Sequence, residues 1–144
     1  MDIELREPKT EEEFEKYYDL RWRILRKPWT DEKQSGRDAN ERTAIHLTAW
    51  DGDKLVGGGR FYFLSSDEAQ IRGMAVEHGY ENKGIGSMIL KGLEERAMQG
   101  GAKRIVLHAR EGALEFYRKN QYHVVERSYT LFHSIVHWQM HKDL

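Results

Sequence analysis

At 144 residues the chain has the length of one domain, and residues 1–144 read as a single unit large enough to bury a core. A net charge of −1, from 23 basic and 24 acidic side chains, argues against nucleic-acid and membrane-surface partners. The absence of cysteine excludes disulfides, thiolate metal sites and a cysteine nucleophile, and a cytoplasmic location is the simplest expectation.

The start, Met1-Asp2-Ile3-Glu4-Leu5, lacks the apolar core of a signal peptide. Residues 3–7 alternate apolar and charged side chains up to Pro8, which predicts a short first strand. Thr10 and Glu13 form a capping-box pair that opens a helix, with Phe14, Tyr17, Leu20, Ile24 and Leu25 on its apolar face and Pro28 at its end. The polar segment 29–42 has no clear period and reads as a loop or a short, weak helix, of the kind that is often substrate-facing or mobile. The cluster Arg21, Arg23, Arg26 and Lys27 reads as a solvated helix face rather than an anion site.

Two strands, 44–50 and 54–64, flank the hairpin signal Asp51-Gly52-Asp53. Gly57-Gly58-Gly59 inside the second predicts a bulge or a close backbone approach. A further strand, 68–76, ends in a polar turn, and a helix over 84–99 stops at Gly100-Gly101. Ile105-Val106-Leu107 reads as a buried strand, 111–120 as a second, shorter helix, and 122–129 and 133–141 as a last strand pair. The order β-α-(α)-β-β-β-α-β-α-β-β predicts an α/β fold with a mixed sheet.

The stretch 71–93 organises the rest. It reads as strand, glycine turn and helix start, and a helix N-terminus offers unpartnered N–H groups and partial positive charge to an anion. Gly84 and Gly86 let a pyrophosphate approach those groups. A P-loop is excluded by the missing G-x-x-x-x-G-K-[ST], and a dinucleotide fingerprint by Ile89 at its third glycine position.

Arg72-Gly73-Met74-Ala75-Val76, then Lys83-Gly84-Ile85-Gly86, then Phe116-Tyr117-Arg118-Lys119-Asn120-Gln121-Tyr122, in this element order, resemble the GNAT family of acetyl-CoA-dependent N-acetyltransferases. The resemblance implies a mostly antiparallel mixed sheet of about six to seven strands flanked by helices, with a V-shaped splay between two central parallel strands. It places the pyrophosphate motif on Glu81, Asn82, Lys83, Gly84, Ile85 and Gly86, with Ser87 following, and puts Glu81 where the family has Gln or Arg. It implies that the backbone of Met74, Ala75 and Val76 receives the pantetheine arm, with the partner strand at 104–108.

The implied activity is acetyl transfer from acetyl-CoA to a primary amine by direct attack in a ternary complex. The competing reading is a non-catalytic acyl-CoA-binding or regulatory domain on the same fold. Tyr117 stands where the family places the tyrosine that protonates the leaving thiolate and that also borders the cofactor. A phenol near pKa ~10 can protonate a thiolate whose conjugate acid lies near ~8.5 as the bond breaks. For the base, the family's occasional glutamate falls nearest Gln70, Glu68 lies on the same strand face, and His108 ends the partner strand. Arg110 stands where many relatives carry an asparagine near the cofactor.

His133, His137 and His141 recur every four residues, but their neighbours favour a strand, so no metal site is expected; His137 is a candidate for the substrate cleft. Tyr18, Trp22 and Trp29 are candidates to border the acceptor pocket. The expected partners are coenzyme A and a small amine or peptide acceptor, with no nucleic acid and no membrane. Polyamine, amino acid, antibiotic, peptide N-terminus and lysine side chain all stay open as acceptors. The last strands offer an edge through which relatives often form homodimers.

Overall fold

The computed structural model of the protein describes residues 1–144. The elements run β1 (Ile3–Arg6), α1 (Glu11–Leu25), β2 (Ile45–Asp51), β3 (Lys54–Phe63), β4 (Glu68–Val76), α2 (Ile85–Gln99), β5 (Arg104–Arg110), α3 (Leu114–Lys119), β6 (His123–Leu131) and β7 (Ile135–Asp143). One seven-stranded sheet has the order β1-β2-β3-β4-β5-β7-β6, antiparallel except between β4 and β5. The mixed, mostly antiparallel sheet is as expected, and the last hairpin sets β7 beside β5. Residues 29–42 carry turns and no helix, and a 3-10 turn, Glu111–Ala113, precedes α3. No helix is long and apolar enough to cross a membrane.

Helix α1 begins where its capping pair predicts. Thr10 Oγ1 accepts a hydrogen bond from the Glu13 N–H at 3.1 Å, a contact worth ~1 kcal/mol. The returning carboxylate accepts from the Lys9 N–H at 3.0 Å instead of from Thr10. Glu11, Glu12 and Glu13 in the first turn and Arg23 in the last complement the helix dipole. Tyr17 and Leu20 of α1 pack with Trp50, Leu55 and Ala75 on one face of the sheet. Helix α2 buries Ile85, Ile89, Leu90 and Leu93 in the larger core on the other face. Each fully buried aliphatic side chain contributes ~1.5–3 kcal/mol.

Both helices meet β3 at its glycines. A Cβ on Gly58 would lie 2.8 Å from the Tyr17 ring of α1, and one on Gly57 would lie 2.7 Å from Ile89 of α2. The expected close approach is therefore real, from both faces at once. Bulges flank the triplet on both strands: on β3, Val56 is the extra residue between the pairs Trp50–Leu55 and Ala49–Gly57, and on β4, Gly58 pairs with Ala75 and Arg60 with Arg72, so Gly59 faces both Gly73 and Met74. Gly73 has φ +70°, and a side chain there would meet the Arg21 guanidinium at 3.1 Å.

The bulge on β4 bends that strand away from its parallel neighbour. β4 and β5 pair only at Glu68–Arg104, Ala69–Ile105 and Gln70–Val106. Beyond them β4 stays with β3 through Val76, while β5 stays with β7 through Arg110. The sheet thus opens into a wedge between Ile71–Val76 and Leu107–Arg110, which is the anticipated splay.

Candidate functional site

The site begins at the N-terminus of α2, at one mouth of the wedge. Gly84 caps the helix with φ +82° and supplies no side chain. The N–H groups of Asn82, Lys83, Gly84, Ile85, Gly86 and Ser87 make no hydrogen bond within the chain. Six consecutive donors without partners therefore stand at the start of a helix, where partial positive charge is concentrated. Gly86 sits close under Phe116, whose ring a Cβ would meet at 3.2 Å. The Ser87 hydroxyl accepts from Asn120 Nδ2 at 3.2 Å, tying α3 to α2. Glu81 closes the turn before the helix: its carboxylate accepts from the Gly79 N–H at 2.5 Å and lies 3.5 Å from His78. Its side chain braces the turn, while Asn82 and Lys83 are exposed beside it.

Along β4, Ala75 is buried against α1, and Met74 lies over Gly59 and faces the wedge. Any polar contact from this stretch comes from its backbone. Tyr117 of α3 is buried with its ring edge-on to Phe116 and Tyr122, and it borders the cleft beside Met74. Burial pushes its phenol well above the ordinary tyrosine range, with nearby Arg110 pulling the other way. The hydroxyl thus keeps its proton at any working pH.

The wedge widens into a cleft of about 180 Å³ beneath the C-terminal end of α1 and the β6–β7 hairpin. His108 of β5 lines it, its Nδ1 buried without a partner and its ring 5.6 Å from Tyr129. Burial first, then the charges of Arg72 and His141, hold His108 below the ordinary histidine range, so it is a neutral base at pH 7. His137 of β7 stacks on Tyr129 at 4.3 Å. Its Nδ1–H donates to the Ile135 carbonyl at 2.9 Å, which leaves the Nε2 lone pair free.

Glu68 does not join this group. It stands at the closed end of the wedge, paired across to Arg104, whose Nη1 is 4.0 Å away. The alternation that set Glu68 on one face with Gln70 carries no information about which end of the strand opens. Tyr18 and Trp22 lie outside the cleft lining, and Trp29 stacks on Phe132 at 6.2 Å with the planes 4° apart.

The solvated arginine face expected on α1 is only partly so. Arg23 pairs at the surface with Asp19 and Glu77, and Lys27 is exposed. Arg21 is 4% exposed and binds Glu41 through two nitrogens, at 2.6 and 3.1 Å, and the Gly36 carbonyl at 2.8 Å. Arg60 of β3, 1% exposed, binds Asp38 through two nitrogens at 2.8 and 2.9 Å, and Arg72 of β4 reaches the same carboxylate at 3.1 Å. Hydrogen bonds from Arg60, reinforced by the charge of Arg72, hold the Asp38 carboxyl down at about 2. Three arginines on three elements therefore bolt the irregular 29–42 segment over the cleft. Arg26 and Arg110 also line the cleft. The sequence contains two signals for this end of the site: Arg60 and Arg72 are charged residues inside apolar runs of central strands.

The sequence model of the acetyltransferase (GNAT) family matches residues 13–122 of this chain. The chain belongs to the GNAT family. An uncharacterized N-acetyltransferase of Bacillus subtilis, YjcF, is 30% identical over 135 residues, covering 94% of this chain and 96% of that protein. Among solved structures, ElaA of Escherichia coli superposes with a TM-score of 0.85 at 17% identity over 99% of this chain and 100% of that one. An aminoglycoside 6′-N-acetyltransferase complexed with coenzyme A superposes with a TM-score of 0.82 at 17% identity, covering 99% of this chain and 97% of that one. The general reaction of this GNAT acetyltransferase is the transfer of an acetyl group from acetyl-CoA to an amine.

Proposed function

We propose that this GNAT domain binds acetyl-CoA along the wedge and acetylates the primary amine of a small molecule or peptide by direct attack. The observation that carries the reading is the splay of β4 from β5, with Tyr117 and His108 lining the cleft it opens and the free N–H groups of α2 following the end of β4. The residues fit the cosubstrate. Six unpartnered N–H groups suit a pyrophosphate, and an unpaired stretch of β4 suits the amide-bearing pantetheine arm. A structural neighbour complexed with coenzyme A supports acetyl-CoA as the cosubstrate.

Acetyl-CoA, when bound, supplies the acetyl group as a thioester. The N–H groups of Lys83 to Ser87 hold the pyrophosphate, and the backbone of Met74 to Val76 aligns the arm. His108, neutral at pH 7, takes the proton of the attacking amine directly or through water. Tyr117 gives its hydroxyl proton to the sulfur as the C–S bond breaks, and regains one from solvent. With no cysteine in the chain, no acyl group rests on a thiolate of the protein between donor and acceptor.

The test is release of coenzyme A thiol from acetyl-CoA across a panel of amines, with Tyr117→Phe and His108→Gln in parallel. Acetylated amine in the wild type and slowed turnover in both variants support the reading. Cosubstrate binding with no amine acetylated, and no effect of Tyr117→Phe, overturns it.

A further inference from the structure

We propose that the acceptor carries an anionic group, a carboxylate or a phosphate ester, and that Arg26 and Arg110 hold it while its amine meets the donor. The inference rests on the acetylation reading above. Five arginines line the cleft (Arg21, Arg26, Arg60, Arg72 and Arg110), and no acidic residue does. Behind the lining, Glu41 answers Arg21, and Asp38 is shared by Arg60 and Arg72. Two carboxylates against five guanidinium groups leave an excess of three positive charges, in a chain whose net charge is −1.

The excess is concentrated on two residues. Arg26 forms no ion pair and no side-chain hydrogen bond, and the only acceptor of Arg110 is the Leu25 carbonyl at the end of α1. Both are half-buried. Burial lowers the basicity of each; the next cause is Arg72 for Arg26, and Arg26 for Arg110. Their guanidinium carbons lie 5.8 Å over Phe132 and 5.2 Å over Trp29, the two rings that stack on each other. The stack thus fixes two planar cations at the rim of the cleft, with donors to spare. Half-buried like charges are unfavourable until a counter-charge arrives, and a guanidinium fork matches a carboxylate or phosphate face to face. The same field repels polyamines and other polycations. A cleft of about 180 Å³ admits a small molecule, below the usual ~300 Å³ of drug-sized sites.

The experiment compares kcat/KM for amines matched in pairs: α-amino acids against their amides, amino-sugar phosphates against amino sugars, and polyamines alone. At least a tenfold preference for the anionic member is expected, the better pair deciding between carboxylate and phosphate. Arg26→Gln should cut that preference at least tenfold through the KM of the acceptor, with the KM of acetyl-CoA unmoved, and Arg26→Glu should invert it. Equal use of acids and amides, efficient use of polyamines, or an unchanged preference in Arg26→Glu overturns the inference. If no amine turns over, the acetylation reading fails separately. The anion site is then judged by N-acetylglycine with coenzyme A saturating: a rise in melting temperature over that with its amide, absent in Arg26→Gln, supports it, and no such difference overturns it.

Discussion

The two ends of the cleft are built from different materials. The donor end is backbone: free N–H groups at α2, a glycine cap and an unpaired edge of β4. The acceptor end is side chain: arginines from α1, β3, β4 and β5 and histidines from β5 and β7, braced by carboxylates of an irregular segment. Backbone recognises what is common to every acetyl donor and tolerates substitution around it. Side chains recognise what is particular to one acceptor, and they can be exchanged without disturbing the sheet.

The contrast can be broken most forcefully at Asp38. Asp38→Ala leaves buried Arg60 with Glu41, 3.5 Å away, as its remaining charged partner, and should cost about 3 kcal/mol of unfolding free energy. Urea denaturation reads the loss, while titration calorimetry should find acetyl-CoA affinity within about twofold of wild type if the two ends are independent. Next comes the chemistry between them. Tyr117→Phe removes the proposed proton donor of the thiolate and should lower kcat about 100-fold with little change in acetyl-CoA affinity. An unchanged kcat would make Tyr117 a packing residue only.

At the donor end, Gly84→Ala forces a side chain into a left-handed conformation and should weaken acetyl-CoA about tenfold, whereas Lys83→Ala should change affinity less than threefold. The opposite ranking would mean that side chains, not backbone, hold the pyrophosphate. A smaller effect separates the ends by pH. His108 is held below the ordinary histidine range, so wild-type kcat/KM should keep its base at pH 7 and lose it only as pH falls below about 6.5. His108→Gln should abolish that acidic limb.

The smallest effect is on stability. His46 accepts from the Tyr17 hydroxyl at 2.9 Å and donates to the Glu41 carbonyl at 2.8 Å, which fixes a neutral ring. Burial depresses its pKa, so its contribution is full above the unfolded value of ~6.5 and fades as pH falls through the folded one. Asp38 adds a second decline between ~4 and about 2. His46→Asn should remove only the first, leaving the decline of Asp38 in place, as urea denaturation across pH would show.

The same division explains what the sequence disclosed. Periodicity and capping placed α1, α2 and the meander, because Thr10–Glu13, the apolar stripe of α2 and the turn at Gly52 are local features. Gly84 and Gly86 disclosed the donor end for the same reason. The acceptor end depends on the meeting of residues 21, 26, 60, 72 and 110, which no local pattern records. Arg21 and Arg26 looked like neighbours on a wet helix face, yet one is tied to Glu41 and the other opens onto the cleft. Glu68 shows the converse: its residue type suited a base, but the wedge opens at the other end of its strand. The bulge that decides which end opens sits at Gly73, opposite Gly59 of the glycine triplet.

The wedge has a further consequence. A sheet that parts in its middle has two extra borders, and unpaired strand borders invite association with other chains. Here the proposed occupant is the cosubstrate itself, so the ligand doubles as the missing strand of the sheet. Any ligand bound only by the folded chain shifts the folding equilibrium, by ~2.7 kcal/mol at a hundred times its dissociation constant. The folded population, resistance to proteolysis and resistance to clumping of this acetyltransferase should therefore rise and fall with the supply of acetyl donor.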